Sequence, residues 1–424
     1  MTTSATEAPG RGGSFFSPTV IIVAACLIAM IGFGVRSTFG LYLEPATVDR
    51  GWSRETYALA LAIQNLLWGA GVPIAGALAD RFGPTRVIAI GALIYAGGML
   101  GMTAAETPWM LHLTAGLLTG IGIAFTAFSL ALAAMARVVG PERRTFALGL
   151  GTAAGSFGQV VFSPFAQALI TSGGWESTVT ILGLISLAML PLAFVLPSVA
   201  RAPKAPSASA GPVERPMAAA EQTIGEALRE ALGHQGFVLL TAGFFVCGFQ
   251  VAFMTVHFPA YVKDLGLSVQ VGALSLALIG LFNIIGSFGA GYLGDAWSKK
   301  NGLCLIYFLR TVATVGLLLA PKTELTIYVF AAVMGLLWLS TVPLTSGIVA
   351  QVFGVRYMAT LFGVVFFSHQ LGSFLGVWLG GYMYDRFGTY DPVWYVSIGL
   401  GLLAAIVHAP INERPLARLQ PQAA

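Results

Sequence analysis

The chain has 424 residues and a formal net charge of +4, and its composition is typical of a membrane protein. Hydrophobic residues make up 56% of it and charged residues 9%, with a mean hydropathy of +0.81. Soluble domains carry about 25% charged residues, so a soluble globular domain is excluded. The three cysteines, Cys26, Cys247 and Cys304, lie inside apolar runs without paired spacing, which argues against a disulfide framework and against a zinc site.

Twelve apolar runs are each long enough to cross a hydrocarbon core about 30 Å thick. Spans 1 to 6 are predicted at residues 18–43, 56–79, 85–105, 109–136, 145–171 and 175–196. Spans 7 to 12 are predicted at residues 236–262, 268–294, 301–320, 324–350, 358–384 and 391–411. Because backbone groups in lipid need partners within their own segment, each span is predicted to be a helix.

The segments outside the spans divide the chain into two bundles. The predicted divisions are a tail at 1–17, a bundle at 18–196, a linker at 197–235, a bundle at 236–411 and a tail at 412–424. The first tail is polar and Gly/Ser-rich with one basic residue, so we expect no cleaved signal. The linker is rich in Pro, Ala and Ser, and it ends with a capping box from Thr223 to Glu226 that predicts a short amphipathic helix.

Lys and Arg are distributed unevenly over the two sides of the predicted spans. Of the 22 such residues, Arg36 and Arg310 lie within spans. One side holds Arg50, Arg54, Lys263, Lys322 and Arg386, and the others lie on the side that also carries both termini and the linker. Since cytoplasmic loops are enriched in Lys and Arg, we expect both termini in the cytoplasm and the chain in the inner (plasma) membrane.

The two sets of spans resemble each other at a nearly constant offset. Gly76-Ala-Leu-Ala-Asp80, at the end of span 2, is matched by Gly291-Tyr-Leu-Gly-Asp295, at the end of span 8. The Gly-Ser-Phe motif of span 5 at 155–157 recurs in span 11 at 372–374. Parallel repeats of six helices place a substrate site at their interface, near the bilayer midplane. The sequence therefore predicts two pseudo-symmetric six-helix bundles.

The loop GALADRFGPTR, from Gly76 to Arg86, resembles the signature loop of the major facilitator superfamily. With the twelve-helix, two-half layout the resemblance covers the whole chain, and it implies an all-α membrane protein of the major facilitator fold. In that family the loop Asp packs against the start of helix 11, and the loop Arg residues join a charge relay that steadies the outward-open state. The resemblance therefore implies conformational-gating roles for Asp80, Arg81 and Arg86, and a weaker one for Asp295 in the second copy.

A finer resemblance lies in span 1. IGFGVRSTFGLYLEP, followed by RGWSRE, is similar to bacterial members grouped with the monocarboxylate porters and oxalate:formate exchangers. Those relatives move small organic anions, often with a proton, and use a cationic residue in helix 1 and another in helix 8. Arg36 lies near the first position, whereas span 8 offers Asn283 and Ser287 but no cation.

Two arginines lie within predicted spans. Arg36 is deep in span 1, where a charged residue costs about 2.5–3.5 kcal/mol, so it should face a cavity or a partner. The sequence leaves open a functional role or a polar partner in span 5 or 11. Arg310 lies nearer one end of span 9, which the resemblance makes peripheral, and we expect a structural side chain that reaches the cytoplasmic face. No Asp or Glu lies in the middle of a span, which argues against a cationic substrate. The guanidinium of Arg36 instead suits a carboxylate or another oxyanion.

In the absence of a buried acid, histidine is the predicted proton carrier. The candidates are His257 in span 7 and His369 in span 11, and each could instead be an interhelical hydrogen-bonding group. The repeat offset places Gln250 near the position of Arg36 and His257 near that of Tyr42. This face of span 7 is therefore predicted to mirror the cavity face of span 1.

The predicted substrate-binding residues are Arg36, Tyr42, Gln250, His257, Asn283 and His369. The predicted function is secondary transport of small organic anions, mono- or dicarboxylates, coupled to protons, by rocking of the two halves. The alternatives are an exporter of amphipathic or toxic compounds, which would tolerate the loss of Arg36, and a sensor that binds without transport. Nothing resembles a nucleotide loop, a metal cluster or a nucleophile triad. We therefore expect no enzyme activity, no cofactor and no nucleic-acid partner, and a monomer that meets substrate, protons and lipids.

Overall fold

The computed structural model describes residues 16–127, 129–131, 135, 144–196, 222–354 and 356–419, so most of the predicted N-terminal tail and linker lie outside the described residues. Within these ranges eleven helices are long and apolar enough to cross a membrane. The longest, Leu150–Val195, has 46 residues and contains Gly174 in a non-helical conformation (φ 80°, ψ 172°), which divides it into two spans. Twelve spans result, and the predicted fold class is confirmed.

The helices of the first half follow the predicted order with four irregularities among the described residues. Span 1 consists of Pro18–Ser37, a 3-10 turn at Phe39–Tyr42 and Leu43–Arg50; span 2 is Arg54–Phe82; span 3 is Pro84–Thr103; span 4 consists of Pro108–Leu111, a π-helical stretch at His112–Leu118 and Thr119–Phe125; spans 5 and 6 form Arg144–Ser186 and end with Met189–Val195. The irregularities are the 3-10 turn, the π-helical stretch, the kink at Gly174 and a break of span 6 at residues 187–188.

The second half follows a short helix at Ile224–Gly233 that opens with the predicted capping box of Thr223 and Glu226. Span 7 is Gln235–Asp264; span 8 is Val269–Ala296; span 9 is Lys299–Leu319; span 10 consists of Glu324–Leu337 and Thr341–Phe353; span 11 is Met358–Phe387; span 12 is Asp391–His408. Span 10 is interrupted just before Pro343, which lacks the N–H that would bond to the carbonyl of Leu339 in a continuous helix.

The signature loop makes a tight turn between spans 2 and 3. Span 2 ends at Phe82, and Gly83 takes a positive φ of 88° that other residues rarely adopt. Pro84 then opens span 3 at a position where its missing N–H has no helical partner to lose. The Thr85 hydroxyl donates to the carbonyl of Leu196 at 3.1 Å, which ties this loop to the end of span 6.

The two halves meet through spans 2 and 11, spans 5 and 8, and the 3-10 turn of span 1 against span 7. A glycine lies at each of these crossings. A Cβ added at Gly40 would overlap the carbonyls of Thr255 and Val256, and one at Gly280 would lie 2.9 Å from the Ser156 carbonyl. Small residues allow helix backbones to approach closely in a membrane, so these glycines set the distance between the halves.

The crossing of spans 2 and 11 is closed on one face of the bundle and open on the other. We call the face that carries the Ile224–Gly233 helix and the ends of spans at Phe82 and Ala296 the linker face, and the opposite one, which carries Arg54 and Asp264, the far face. From the far face, contact between spans 2 and 11 continues as far as Gly69. Toward the linker face the same two spans separate, since a Cβ at Gly76 or Gly363 would meet nothing within 4 Å.

Candidate functional site

Arg36 lies in the last turn of the Pro18–Ser37 helix, half-buried, and reaches across to span 2. Its Nη2 donates to Oδ1 of Asn65 at 2.6 Å, and its guanidinium carbon lies 4.3 Å from the ring centre of Trp68. Asn65 and Trp68 are three residues apart and therefore share one face of their helix. A cation–π contact and one hydrogen bond thus hold the guanidinium against span 2.

The guanidinium of Arg36 is incompletely paired. Within the described part of the chain it forms no ion pair, and its buried Nε has no hydrogen-bond partner. A cavity of about 20 Å³, which has room for about one water, lies beside it on the side of the linker face. Residues of spans 1, 2 and 4 line this cavity, namely Ala29, Gly32, Phe33, Arg36, Trp68, Ile123, Thr126 and Ala127. A buried unpaired donor costs about 1–3 kcal/mol, so the arrangement favours an added acceptor.

Aromatic rings connect Arg36 to the second half. Trp68 meets Phe366 of span 11 edge to face, with ring centres 5.6 Å apart. Phe366 in turn stacks on the imidazole of His369, with ring centres 5.8 Å apart and the planes within 8°. The structure therefore brings two of the predicted residues, Arg36 and His369, to the same level of the seam between the halves.

A chain of amides makes the same connection by hydrogen bonds. Gln370 donates from Nε2 to the backbone carbonyl of Asn65 at 3.1 Å, and its Oε1 lies 3.0 Å from Nδ1 of His369. Gln370 can approach because position 69 is glycine; a Cβ there would lie 2.6 Å from Cβ and Cγ of Gln370. Asn65 is thus bonded to Arg36 through its side chain and to Gln370 through its backbone.

Arg310 offers an internal comparison, because it too is an arginine buried in a span. Its Nε and Nη2 donate to the carbonyl of Leu337 at 3.2 and 2.7 Å, and Nη2 also donates to the carbonyl of Trp338. Nη1 lies 3.3 Å from Oε1 of Gln250 and 3.5 Å from Sγ of Cys247. These carbonyls are left free by the interruption of span 10, so Arg310 caps a broken helix.

The expectation that Arg310 extends to the cytoplasmic face is therefore wrong, although its structural role holds. The side chain is fully buried and turns inward, because the free carbonyls of span 10 offer nearer acceptors than the membrane surface. Arg310 is paired through all three guanidinium nitrogens, whereas Arg36 pairs through one. Of the two arginines within spans, Arg36 is the one that still has guanidinium donors left for a ligand.

Gln250 and Asn283 serve the packing of helices near the interruption of span 10. Gln250 donates to the carbonyl of Ser397 in span 12 at 3.1 Å, besides its contact with Arg310. Asn283 donates from Nδ2 to the Ser156 hydroxyl at 2.9 Å, and its Oδ1 accepts from the backbone N–H of Leu339 at 3.0 Å. Neither has a described contact with Arg36, so their role as substrate ligands remains a prediction.

Tyr42 and His257 are fully buried, each within its own half. The Tyr42 hydroxyl pairs with that of Thr38 at 2.8 Å. His257 has both ring nitrogens engaged, with Nδ1 3.1 Å from the Tyr390 hydroxyl and Nε2 2.7 Å from the Val377 carbonyl. Of the two readings left open for His257, these contacts favour the interhelical hydrogen-bonding group.

The loop residues singled out by the family resemblance lie on the linker face. Asp80, Arg81 and Arg86 are exposed there, and the Arg81 guanidinium carbon lies 5.1 Å from the ring centre of Phe82. The side chain of Asp295 lies outside the described part of the chain. The gating roles of all four remain predictions.

A polar cluster seals the far face, and the sequence analysis did not predict it. Arg54 of span 2 donates to both carboxylate oxygens of Asp264 at 2.6 and 2.8 Å and to the Tyr390 hydroxyl at 2.9 Å. Its guanidinium carbon lies 3.7 Å from the ring centre of Tyr384. Asp385 accepts from the backbone N–H groups of Arg54 and of the residue after it, at 3.1 and 2.7 Å. A carboxylate of the second half thus caps the first turn of span 2.

A second ion pair across the seam joins Lys263 of span 7 to Glu44 of span 1 at 2.7 Å. The indole of Trp378 in span 11 also donates to Glu55 at 3.0 Å. Charged residues that close this face therefore come from both halves, and every one lies at the end of a span.

Residues 24–377 match the family model of the Major Facilitator Superfamily. The chain belongs to this superfamily. Its relatives are transporters, so the protein is a transporter and not an enzyme. The predicted recognition of the family from the loop after span 2 is confirmed.

The relatives include monocarboxylate transporter 13 of Rattus norvegicus, which is 25% identical over 95% of this chain and 91% of its own. The MFS-type transporter YcxA of Bacillus subtilis is 26% identical over 90% and 92% of the two chains. Among solved structures, a bacterial homologue of the lysosomal transporter Spinster, in an inward-facing and unoccupied conformation, superimposes with a TM-score of 0.72 at 18% identity over 93% and 94% of the chains. A D-xylose–proton symporter gives a TM-score of 0.71 at 14% identity over 94% and 99%.

Sequence reasoning did not single out Asn65, Trp68 or Gln370. A signal was present, because Gln64 and Asn65 are the only amides in the apolar body of span 2. The pattern could not decide which of the two faces Arg36. In the structure Gln64 turns to span 4 and donates to the carbonyl of Ala115 at 3.0 Å, which leaves Asn65 for Arg36.

Proposed function

We propose that this transporter carries small organic anions with a single carboxylate, which bind between the halves on Arg36. The observation that carries the proposal is the incomplete pairing of this one arginine, in contrast to the fully engaged Arg310. A guanidinium presents planar, two-pronged donors that suit a carboxylate. The monocarboxylate transporters among the relatives support the same class of substrate.

The surroundings of Arg36 favour a substrate with one carboxylate over a substrate with two. Among the described residues that line the adjoining cavity, Arg36 is the only cation, and the other side chains are apolar except that of Thr126. Rings of Trp68 and Phe366 cover the site toward the second half. A second carboxylate would be buried there without a cation, which costs several kcal/mol.

We also propose that the linker face is cytoplasmic, as the distribution of Lys and Arg indicates. Both termini and the 197–235 linker then lie on the cytoplasmic side of the inner (plasma) membrane. The sealed far face and the separation of spans 2 and 11 toward the linker face support the proposal of an inward-facing state in a rocking, alternating-access cycle. Labelling of single cysteines placed in the linker tests this orientation, and labelling from the outside of intact cells contradicts it.

For coupling to protons we propose His369 rather than His257. His369 lies at the level of Arg36 and is linked to it through Gln370 and Asn65, whereas His257 is engaged on both ring nitrogens within its own half. Histidine is the usual proton carrier among side chains, which is why we assign the coupling to an imidazole.

The test of the function is a thermal-shift screen of purified protein against monocarboxylates and dicarboxylates, followed by uptake into liposomes. We expect stabilisation by monocarboxylates, its loss in Arg36→Gln, and partial retention in Arg36→Lys, since an ammonium lacks the planar fork. Truncating one partner of a buried charge pair costs about 2–5 kcal/mol, which corresponds to a loss of about 30-fold or more in affinity. Full transport by Arg36→Gln would refute the anion site and favour export of amphipathic compounds.

A further inference from the structure

Asn65 is a buried amide whose polar groups are all partnered. The residue is 2% exposed. Its Nδ2 donates to the carbonyl of Leu61 at 2.8 Å, its Oδ1 accepts from Arg36 at 2.6 Å, and its backbone carbonyl accepts from Gln370 at 3.1 Å. Because the amide NH2 is committed to Leu61, the oxygen must face Arg36; the reversed amide would set donor against donor.

The oxygen that faces Arg36 is neutral, and this matters for the charge of the site. An amide oxygen satisfies one guanidinium donor and leaves the full positive charge of Arg36 in place. An arriving carboxylate forms a stronger, charge-assisted hydrogen bond and can therefore displace it. An acidic residue at this position would form a buried ion pair with Arg36, and the substrate would gain nothing by replacing one carboxylate with another.

We propose that Asn65 determines the charge of the substrate: its amide oxygen occupies the position of a substrate carboxylate oxygen in the empty site and partners Arg36 without neutralising it. This inference rests on the proposed transport of organic anions. Gln370 supports the arrangement from the second half, because its bond to the Asn65 backbone holds this turn of span 2 in place when the far face is closed.

The main test compares Asn65→Asp with Gln64→Glu. Both introduce an acid at neighbouring, buried positions of span 2, but Gln64 turns toward span 4 and away from Arg36. Binding of pyruvate and of benzoate to purified protein in detergent is measured by calorimetry. We expect Asn65→Asp to weaken binding about 30-fold or more, and Gln64→Glu to stay within about threefold of the unmodified protein.

A second readout separates charge from packing. Benzamide has the shape of benzoate without its charge, so the ratio of their affinities reports the charge of the site. We expect the unmodified protein to prefer benzoate by about 30-fold or more, and Asn65→Asp to bind the two about equally. A purely structural role of Asn65 would lower both affinities and leave their ratio unchanged.

The outcomes distinguish the inference from the function on which it rests. If the unmodified protein binds none of the screened carboxylates, the proposed function fails, and the assignment of Asn65 with it. If it binds them and Asn65→Asp keeps the benzoate preference, or loses no more affinity than Gln64→Glu, only the role of Asn65 is refuted. Should Asn65→Asp not fold, Asn65→Ser decides by the ratio of the benzoate and benzamide affinities: it places no acid beside Arg36, so the preference for benzoate should stay at about 30-fold or more, whereas loss of this preference refutes the role of charge.

Discussion

The seal of the far face leads to a quantitative prediction for Arg54→Ala. Arg54 and Asp264 form a two-pronged ion pair between the halves, with side chains 11% and 29% exposed. Two unit charges about 4 Å apart interact by about 4 kcal/mol at an effective dielectric constant of about 20. Desolvation and screening at this partly exposed site reduce that value, while the contact with the Tyr384 ring adds about 0.5–1 kcal/mol. We expect a net loss of about 2 kcal/mol, which shifts the equilibrium toward an open far face about 30-fold.

The shift can be measured as a distance between spin labels on Val48 and Phe387, which are 71% and 57% exposed and belong to opposite halves at the far face. Cys26 and Cys304 are replaced beforehand to avoid their labelling. Double electron–electron resonance should show a longer distance gaining population in Arg54→Ala.

Arg50→Ala is the matched control for this experiment. Arg50 lies on the same face and pairs with Glu176 and the carbonyl of Thr103, all within the first half, so its loss should leave the distribution unchanged. In addition, Asp264→Ala should add little to Arg54→Ala, because each variant removes the same interaction. An unchanged distribution in Arg54→Ala, or the same shift in both arginine variants, would show that this cluster does not hold the halves together.

Three further predictions address the seam, the proton and the linker helix. Gly69→Ala should slow liposome uptake about tenfold, because the new Cβ overlaps Gln370. Gly76→Ala is the control and should not slow uptake, because its Cβ meets open space. Equal rates in the two variants would contradict the close crossing of spans 2 and 11. His369→Gln should abolish proton-driven accumulation while sparing counterflow, and His257→Gln should mainly lower the melting temperature. If these two results are exchanged between the variants, His257 is the proton carrier. The hydrogen bond from Arg418 lowers the pKa of Glu230. This bond contributes less than about 1 kcal/mol to the docking of the Ile224–Gly233 helix. The contribution is present at neutral pH and is lost as the pH falls through the lowered pKa of Glu230. The protection of this helix against hydrogen exchange, taken relative to the intrinsic exchange rate at each pH, should therefore fall at acidic pH, and Glu230→Gln should remove the difference.

The helices and the turn after span 2 could be predicted from the sequence, because each of them is caused by residues that lie close together in the chain. Long apolar runs can only be helices in lipid, and Thr223 with Glu226 forms the expected capping box because both hydrogen bonds lie within four residues of chain. Gly83 and Pro84 likewise fix the turn after span 2 through their backbone preferences alone.

The site could be predicted only in part, because it depends on which way side chains turn. Arg36 stood out, since a charge in an apolar run is rare. The inward turn of Arg310 depends on free carbonyls in span 10, and an interruption within an apolar run leaves hydropathy unchanged. Arg36 is bonded to Asn65 of span 2, and Asn65 in turn to Gln370 of span 11. These two spans are far apart in the chain, so no spacing rule relates the two amides.

The amide of Asn283 has a consequence for the motion of span 10. One end of it bonds to Ser156 in the opposite half, and the other end bonds to the backbone N–H of Leu339, at the point where span 10 is interrupted. When the halves rock and span 5 withdraws, we expect the bond to Ser156 to break, which leaves Asn283 with partners in its own half alone, Leu339 and the Ser287 hydroxyl that donates to Oδ1 at 3.1 Å. The joint in span 10 would then be held less firmly, because the one side chain that ties it to the opposite half has let go.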